Sequence, residues 1–115
     1  MKAAMIVHFD HPFPGREIRA LEYGVEVNEF WGKLAAEGKC TQPEMFFSTS
    51  GHGLWMVKGD LETLEQLVST EKVQKLLEKG GLLMDGFGYE FHFTGDAADA
   101  YLLRYAGLVK ELSLV

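Results

Sequence analysis

The sequence lacks the features that mark several specialised classes of protein. Its single cysteine, Cys40, cannot form an intramolecular disulfide, and one thiol gives no metal-binding framework. The apolar run from Ala3 to Val7 is too short for the core of a signal peptide and far too short to cross a bilayer. We therefore expect a cytoplasmic, soluble protein with no membrane partner.

Positive charge is also scarce. Lysine and arginine together number 11 against 17 acidic residues, which gives a formal charge of −6, and no run of like charges occurs. Binding to nucleic acid or to an anionic membrane surface requires clustered basic side chains. The composition therefore predicts no nucleic-acid partner.

The chain does have the means to build a hydrophobic core. It contains 115 residues, of which 47% are hydrophobic and 12% aromatic. This length suits one domain, with no internal repeat or linker. We expect a single domain over residues 1–115, formed by a core over 3–95 and a C-terminal helix over 96–115.

The first helical segment is predicted from Arg16 to Gly38, after a break at His11 to Gly15 that contains two prolines. Its polar residues form one narrow stripe, flanked on both sides by apolar residues. One apolar side carries Ile18, Leu21 and Val25, and the other carries Tyr23, Val27, Phe30, Trp31 and Leu34. This arc is wider than that of an ordinary surface helix, so the second side needs a further cover, either the C-terminal helix or a second subunit.

Two more helical segments follow. One runs from Leu61 to Lys79, capped by Asp60, with a break and a second cap at Ser69 to Glu71 and an end at Gly80-Gly81. The other begins at Asp96 and carries an apolar stripe at helical spacing. Its stripe comprises Ala98, Tyr101, Leu102, Tyr105, Leu108, Val109 and Leu112. We expect Tyr101, Tyr105, Leu108 and Leu112 to pack against the first helix or a neighbouring subunit.

The strands complete the pattern. Ala3 to Phe9 forms the first, a hairpin with its turn at Ser50 to Gly53 joins the next two, and Tyr89 to Thr94 forms the last. Two strand–helix–strand units that share a hairpin predict an α+β, ferredoxin-like βαββαβ fold. The expected sheet is antiparallel with strand order 4-1-3-2, has helices on one face, and is followed by an extra C-terminal helix. In the last strand Tyr89, Phe91 and Phe93 face the helices, while Glu90, His92 and Thr94 face the open side.

This order of elements, the broken second helix and the tract from Val27 to Leu34 ahead of a hairpin resemble the dimeric α/β-barrel superfamily. The resemblance covers about Ala3 to Gly95. It implies a homodimer, or a multiple of a dimer, in which two ferredoxin-like sheets pair face to face. The superfamily includes cofactor-free monooxygenases, isomerases and haem-dependent enzymes. No residue set of this chain matches the catalytic motif of any of these enzymes, so the resemblance assigns no catalytic residue.

Candidate site residues come from the layout. His8 and Asp10 end the first strand, His52 lies at the tip of the hairpin, and Glu90 and His92 belong to the last strand. We expect them on the open face, where they would bind a small organic ligand. Imidazole acts as acid, base or ligand near neutral pH, and a neighbouring carboxylate fixes its tautomer. The spacing His8-x-Asp10-His11 does not match a zinc site, and we expect no metal or cofactor.

Three functions remain open at this level. The first is binding of a small organic molecule on the open face of a dimer. The second is a cofactor-free oxygenase or isomerase that uses His8 or His92 as a proton carrier. The third is a purely structural oligomer whose open face is filled by its partner.

Overall fold

The computed structural model describes residues 1–114. It contains four strands and four helices in this stretch. In chain order they are β1 (Lys2–Phe9), α1 (Glu17–Ala36), β2 (Glu44–Phe47), β3 (Gly53–Asp60), α2 (Leu61–Val68), α3 (Glu71–Leu83), β4 (Gly88–Phe93) and α4 (Gly95–Glu111). The last residue of the C-terminal helix expected over 96–115, Val115, lies outside the described residues.

The four strands form one antiparallel sheet in the order β2-β3-β1-β4. This is the predicted order 4-1-3-2 counted from the other edge, so the ferredoxin-like topology is confirmed. Met5 lies opposite Val57 on one side and Phe91 on the other, and all three face the helices. Because side chains alternate along a strand, Glu90 and His92 lie on the opposite, open face, as predicted.

The core lies between the sheet and helices α1, α2 and α3. Trp31 of α1 packs against Trp55 of β3 with ring centroids 5.8 Å apart, and both rings are buried. Burying side chains of this size contributes about 2–3 kcal/mol each to folding. The remaining buried members of this core are Ala3, Met5, Val7, Tyr23, Val27, Leu34, Val57, Leu64, Val68, Val73, Leu77 and Met84.

Helix α1 buries only one of its two apolar sides. Tyr23, Val27, Trp31 and Leu34 enter the core. The other side remains exposed, and Leu21 retains 74% of its accessible surface. Within residues 1–114, therefore, the expected second cover of this helix is missing.

The predicted break between the second and third helices is confirmed. Asp60 caps α2 by accepting a hydrogen bond from the Thr63 N–H, and Thr70 caps α3 by accepting one from the Val73 N–H. The predicted end at Gly80-Gly81 is wrong, because α3 continues through both glycines to Leu83. Gly80 is buried under the rings of Phe87 and Tyr23, so it serves close packing and does not end the helix.

Helix α4 stands apart from the core. None of its residues is buried, although Ala97 and Ala98 in its first turn are partly covered and the helix lies against β1 and β4. Ala4 alternates with the core residues Ala3 and Met5 along β1, yet it is only 2% exposed. The radius of gyration is 16.6 Å, compared with about 13 Å for a compact chain of this length. The described chain is therefore elongated.

Packing of α4 on the first helix, one of its two expected partners, is not seen. Tyr105, Leu108 and Leu112 all remain more than half exposed in the described chain. Packing on a neighbouring subunit stays a prediction. Among residues 1–114, no helix is both long and apolar enough to cross a membrane.

Candidate functional site

Three of the four histidines lie at one end of the sheet. They are His8 near the end of β1, His11 just after it, and His52 in the hairpin between β2 and β3. Asp10 donates its backbone N–H to the Asp85 carbonyl at 2.8 Å, and Asp85 donates to the His11 carbonyl at 2.9 Å. These bonds hold the end of β1 beside the turn that precedes β4. The hairpin between β2 and β3 closes at the same end, with the Ser48 N–H donating to the His52 carbonyl.

Asp10 and His52 form a hydrogen-bonded pair. His52 Nδ1 lies 2.5 Å from Asp10 Oδ1, and both side chains are partly open to solvent. An ionised carboxylate only accepts, so Nδ1 of the imidazole carries the proton. In neutral His52 this leaves Nε2 as an acceptor that faces away from the carboxylate. Such a pair has the arrangement of a general base with an orienting carboxylate.

Gly86 positions both Asp10 and His8. His8 Nδ1 lies 3.1 Å from the Gly86 carbonyl oxygen, which accepts a hydrogen bond from it. Gly86 itself has a φ of +64°, and a Cβ at this position would collide with the Asp10 carboxylate, 2.9 Å from Cγ. The turn therefore requires glycine twice, once for its backbone conformation and once to leave room for Asp10.

His8, Asp10 and His52 line one shallow cavity of about 420 Å³, here called the histidine groove. Its other walls are largely apolar. The remaining lining residues are Phe9, Phe46, Phe47, Ser48, Gly53 and Leu54. The fold thus brings together three of the five residues that the sequence suggested.

Glu90 and His92 lie elsewhere on the open face. In the register, Glu90 is opposite Ile6 and His92 is opposite Ala4, four residues along β1 from His8. Four residues of strand span about 13 Å. His92 Nε2 and Glu90 Oε1 are 3.6 Å apart, so they form a loose ion pair when the imidazole is protonated. Neither residue lines the histidine groove.

A second cavity, of about 360 Å³, lies on the other side of the sheet, beneath α1. It is here called the α1 cavity, and its lining is almost wholly apolar. Its lining residues are Phe9, Asp10, Pro12, Glu17, Ala20, Leu21, Tyr23, Gly24, Val27, Met45, Phe47, Gly51, Trp55 and Met84. Sequence reasoning missed this cavity, although Ala20 and Gly24 give a signal. Two small residues four apart on a helix leave space beneath it.

The two cavities adjoin. Phe9, Asp10 and Phe47 line both of them. The rings of Phe9 and Phe47 meet edge to face, with centroids 6.3 Å apart. The Asp10 carboxylate is therefore the polar group at the boundary between an apolar cavity and a groove that contains two histidines.

Tyr23 contributes a hydroxyl group to the lining of the α1 cavity, but this hydroxyl already makes a hydrogen bond within the fold. Its hydroxyl donates to the Leu76 carbonyl at 2.6 Å and so ties α1 to α3. Burial, and secondarily the charge of Glu26, raise the pKa of Tyr23 well above its usual range. Tyr23 therefore stays neutral and acts as a structural tie.

The described residues hold no group of three or more histidine, cysteine, aspartate or glutamate side chains that could bind a metal ion.

His11 lies with its ring against Gly51, at the edge of the two cavities. Its place fits the tip of the hairpin better than the inside of either cavity.

Comparison with solved structures shows what the chain is similar to in fold. Seventeen chains match. Rv0793 from Mycobacterium tuberculosis is 15% identical, with a TM-score of 0.66 over 85% of this chain and 99% of its own. An antibiotic biosynthesis monooxygenase is 17% identical, with a TM-score of 0.60 over 83% of this chain and 99% of its own. A dimeric protein with a ferredoxin-like fold from Bacteroides fragilis is 9% identical, with a TM-score of 0.57 over 81% and 96%.

No protein-family model matches the chain, and no curated protein sequence matches it. At these levels of identity, the similarity to solved structures establishes the fold. The ferredoxin-like fold predicted from the sequence is thereby confirmed.

Proposed function

We propose that the protein binds a small, largely apolar organic molecule in the α1 cavity, with the polar end of the ligand directed toward Asp10 and the histidine groove. One observation carries this proposal: an apolar cavity and a polar groove share Asp10 in their walls. Ligand sites are commonly apolar clefts with a few polar groups that fix orientation, and a volume of 360 Å³ falls within their usual range of about 300–1,000 Å³.

The charge around the cavity narrows the class of ligand. Asp10 and Glu17 are the charged residues in its lining. The aromatic and sulfur-containing walls favour a flat, polarisable body, and the two carboxylates disfavour an anionic one. A neutral or cationic molecule with a hydrogen-bond donor near Asp10 fits both features.

A second candidate function is cofactor-free catalysis that begins with proton transfer, as in an oxygenase or isomerase. The Asp10–His52 pair favours it. In such a step Nε2 of His52 takes a proton from an acidic O–H or C–H of the substrate, the electron pair of that bond stays on the substrate, and Asp10 stabilises the imidazolium. The similar fold of an antibiotic biosynthesis monooxygenase supports the same candidate.

The proton carrier in this second candidate function is His52, whereas the sequence alone favoured His8 or His92. His8 Nδ1 is bound to a backbone carbonyl, and the partner of His92 lies 3.6 Å away. Only His52 among these three has a carboxylate within hydrogen-bond distance in the described chain.

We also propose that the protein acts as a homodimer. The dimeric protein from Bacteroides fragilis supports self-association. The exposed apolar side of α1 supports it as well.

The binding proposal is tested by filling the α1 cavity. Gly24 lines it, and a Cβ at this position would meet no atom within 4 Å. Gly24→Leu should therefore occupy the cavity without straining the helix. We expect a thermal-shift screen of neutral and cationic aromatic compounds to yield binders of the wild type whose affinity falls at least tenfold in Gly24→Leu.

The matched control is Gly107→Leu in α4, where an added Cβ is equally unhindered and lies outside the cavity lining. Binders should retain their affinity for this variant. Equal binding to wild type and Gly24→Leu would show that the α1 cavity is not the site. If the screen finds no binder of the wild type, the purely structural function becomes the better account.

A separate measurement tests the catalytic candidate. For a binder with an acidic hydroxyl group, the ultraviolet spectrum reports whether it is bound as the anion. We expect wild type to favour the anion more than His52→Ala does, while His92→Ala should behave as wild type. An unchanged spectrum in His52→Ala would contradict proton transfer to this residue and leave the binding proposal intact.

A further inference from the structure

A further cavity, of about 420 Å³, lies between helices α1 and α3, and none of its lining residues belongs to the sheet. It is here called the lysine cleft. Its lining residues are Glu26, Glu29, Phe30 and Lys33 of α1 and Lys72, Lys75, Leu76 and Lys79 of α3. The cleft shares no lining residue with the α1 cavity or the histidine groove, so it is separate from the site proposed above.

The lysine cleft concentrates positive charge in an acidic protein. Four of the 11 lysine and arginine residues line it, against two glutamates, while the whole chain carries a formal charge of −6. Lys72, Lys75 and Lys79 lie three and four residues apart, so they share one side of α3. Glu71 and Glu78 fall at other angles around this helix, and neither lines the cleft. The basic side chains of α3 are thus collected on the side that faces α1.

Two of the four lysines have a carboxylate partner. Lys79 Nζ lies 3.0 Å from Glu26 Oε1 and so joins α3 to α1, while Lys75 Nζ lies 3.1 Å from Glu71 Oε1 on the same helix. The second pair is largely open to solvent, and an exposed pair of this kind holds its lysine weakly. Like charges three or four residues apart destabilise a helix, so an anion beside the remaining lysines would stabilise this surface.

Lys33 and Lys72 have no such partner, because no carboxylate of residues 1–114 lies within 4.0 Å of either ammonium group. Lys72 Nζ lies over the ring of Phe30, 5.2 Å from its centroid. Across the cleft, Glu26 of α1 contacts Lys79 of α3. Phe30, one turn further along α1, contacts Lys72, which precedes Lys79 on α3, so the two helices run antiparallel. Lys33 follows Phe30 by three residues and therefore lies at the same end of the cleft as Lys72.

We propose that the lysine cleft binds a phosphate monoester with a small aromatic body. The phosphate group lies between Lys33 and Lys72, whose ammonium groups bind it through charge-assisted hydrogen bonds. The aromatic body lies on the half-buried side chains of Phe30 and Leu76. It replaces the Lys72 ammonium group over the Phe30 ring, since an exposed cation–π contact is weak enough to be exchanged for a bond to phosphate.

The make-up of the cleft favours this class of ligand over other anions. Its volume falls within the usual range for ligand sites, about 300–1,000 Å³. A bare anion would leave the apolar surface of Phe30 and Leu76 uncovered. Glu26 and Glu29 would repel a polyanion large enough to fill the whole cleft. One doubly charged group on a compact apolar body satisfies both conditions.

The first test is isothermal titration calorimetry of the full chain with phenyl phosphate at low ionic strength. We expect saturable binding that is at least tenfold weaker in the double variant Lys33→Gln/Lys72→Gln. Both lysines are exposed, so glutamine should leave the fold intact. The matched control is Lys39→Gln/Lys110→Gln, which removes the same charge from exposed positions outside the cleft and should retain the affinity of the wild type.

The outcomes decide the proposal. No saturable binding to the wild type at millimolar phenyl phosphate would overturn it. Equal weakening in the two double variants would assign the binding to overall charge and would likewise overturn it. So would unchanged binding in Lys33→Gln/Lys72→Gln, because the phosphate would then lie elsewhere.

The second test separates the two parts of the ligand. Phe30→Leu keeps an apolar side chain but removes the aromatic face, so it should weaken phenyl phosphate and leave the weaker binding of inorganic phosphate unchanged. If inorganic phosphate binds the wild type as tightly as phenyl phosphate does, the aromatic body has no part in recognition. If phenol binds as tightly, the phosphate group has none. Either result would contradict the proposed ligand.

The third test distinguishes this site from the α1 cavity. Gly24→Leu, which is designed to fill the α1 cavity, should bind phenyl phosphate as the wild type does. Amide chemical-shift changes on titration should cluster around Phe30, Lys33 and Lys72. Loss of phenyl phosphate binding in Gly24→Leu, with shift changes around Asp10, would place the compound in the α1 cavity and overturn the lysine cleft as its site.

Discussion

Gly80 and Gly81 are adjacent in α3, yet the structure predicts that alanine will have opposite effects at the two positions. Gly80 is buried, and a Cβ there would lie 2.7 Å from the Tyr23 hydroxyl and closer still to the ring of Phe87. Gly81 is exposed, and the nearest atom to its Cβ would be Phe87 Cδ1 at 3.9 Å. Both positions are helical, so both variants gain the same helix propensity.

The expected free energies follow from these distances. Replacing glycine by alanine within a helix stabilises it by about 1 kcal/mol. At Gly80 this gain is opposed by overpacking, which costs about 1–3 kcal/mol, and by weakening of the hydrogen bond from Tyr23 to the Leu76 carbonyl, about 1 kcal/mol. Gly80→Ala should therefore lower the free energy of unfolding by about 1–3 kcal/mol, and Gly81→Ala should raise it by up to about 1 kcal/mol.

Urea unfolding followed by tryptophan fluorescence measures both values, since Trp31 and Trp55 lie in the core. A change of 1 kcal/mol should move the melting temperature by about 4 °C in a domain of this size. The combination with Tyr23→Phe tests the mechanism, because removing the hydroxyl relieves part of the clash. If Gly80→Ala is as stable as Gly81→Ala, α3 does not pack on Tyr23 and Phe87 as described.

Two further predictions concern the site and the effect of pH. Gly86→Ala should displace the Asp10 carboxylate, so that nitrogen chemical shifts of His52 no longer show the Nδ1–H tautomer; Gly15→Ala, which has the same left-handed backbone but no atom within 4 Å of the added Cβ, should leave that tautomer unchanged. If both variants retain the tautomer, Gly86 does not position Asp10. The hydrogen bond from the N-terminal amine, and then that from the Thr63 N–H, lower the pKa of Asp60. A carboxyl whose pKa is lower in the folded state stabilises the fold above its unfolded pKa of about 4, and this contribution disappears as the pH falls. The difference in unfolding free energy between wild type and Asp60→Asn should therefore shrink from pH 6 to pH 3, and a constant difference would contradict the role of Asp60.

Much of the fold could be predicted from local patterns. The alternation from Tyr89 to Phe93 determines which side chains of β4 face the helices, because successive residues of a strand point to opposite sides. Asp60 and Thr70 mark the starts of α2 and α3, since their side chains accept hydrogen bonds from N–H groups that have no partner within the helix. Such signals act over a few residues, so one sequence suffices to read them.

The role of Gly80 shows where local patterns fail. The pair Gly80-Gly81 resembles a helix end, but the reason for glycine there is the ring of Phe87, which arrives from the chain beyond the helix. The α1 cavity likewise depends on contacts between residues that are far apart in the sequence. It depends on the space between α1 and the sheet, which is set by side chains from several elements at once.

For the candidate site too, the sequence determines some features and the tertiary structure decides the others. The sequence by itself determined that His8, Asp10 and His52 would collect at one end of the sheet, because strand order and hairpin position follow from the order of elements. Only the tertiary structure decided that Asp10 bonds to His52, that His8 is held by the Gly86 carbonyl, and that Glu90 and His92 lie apart from them. Hydrogen bonds require positions correct to a few tenths of an ångström, and those positions come from the packing of the whole chain.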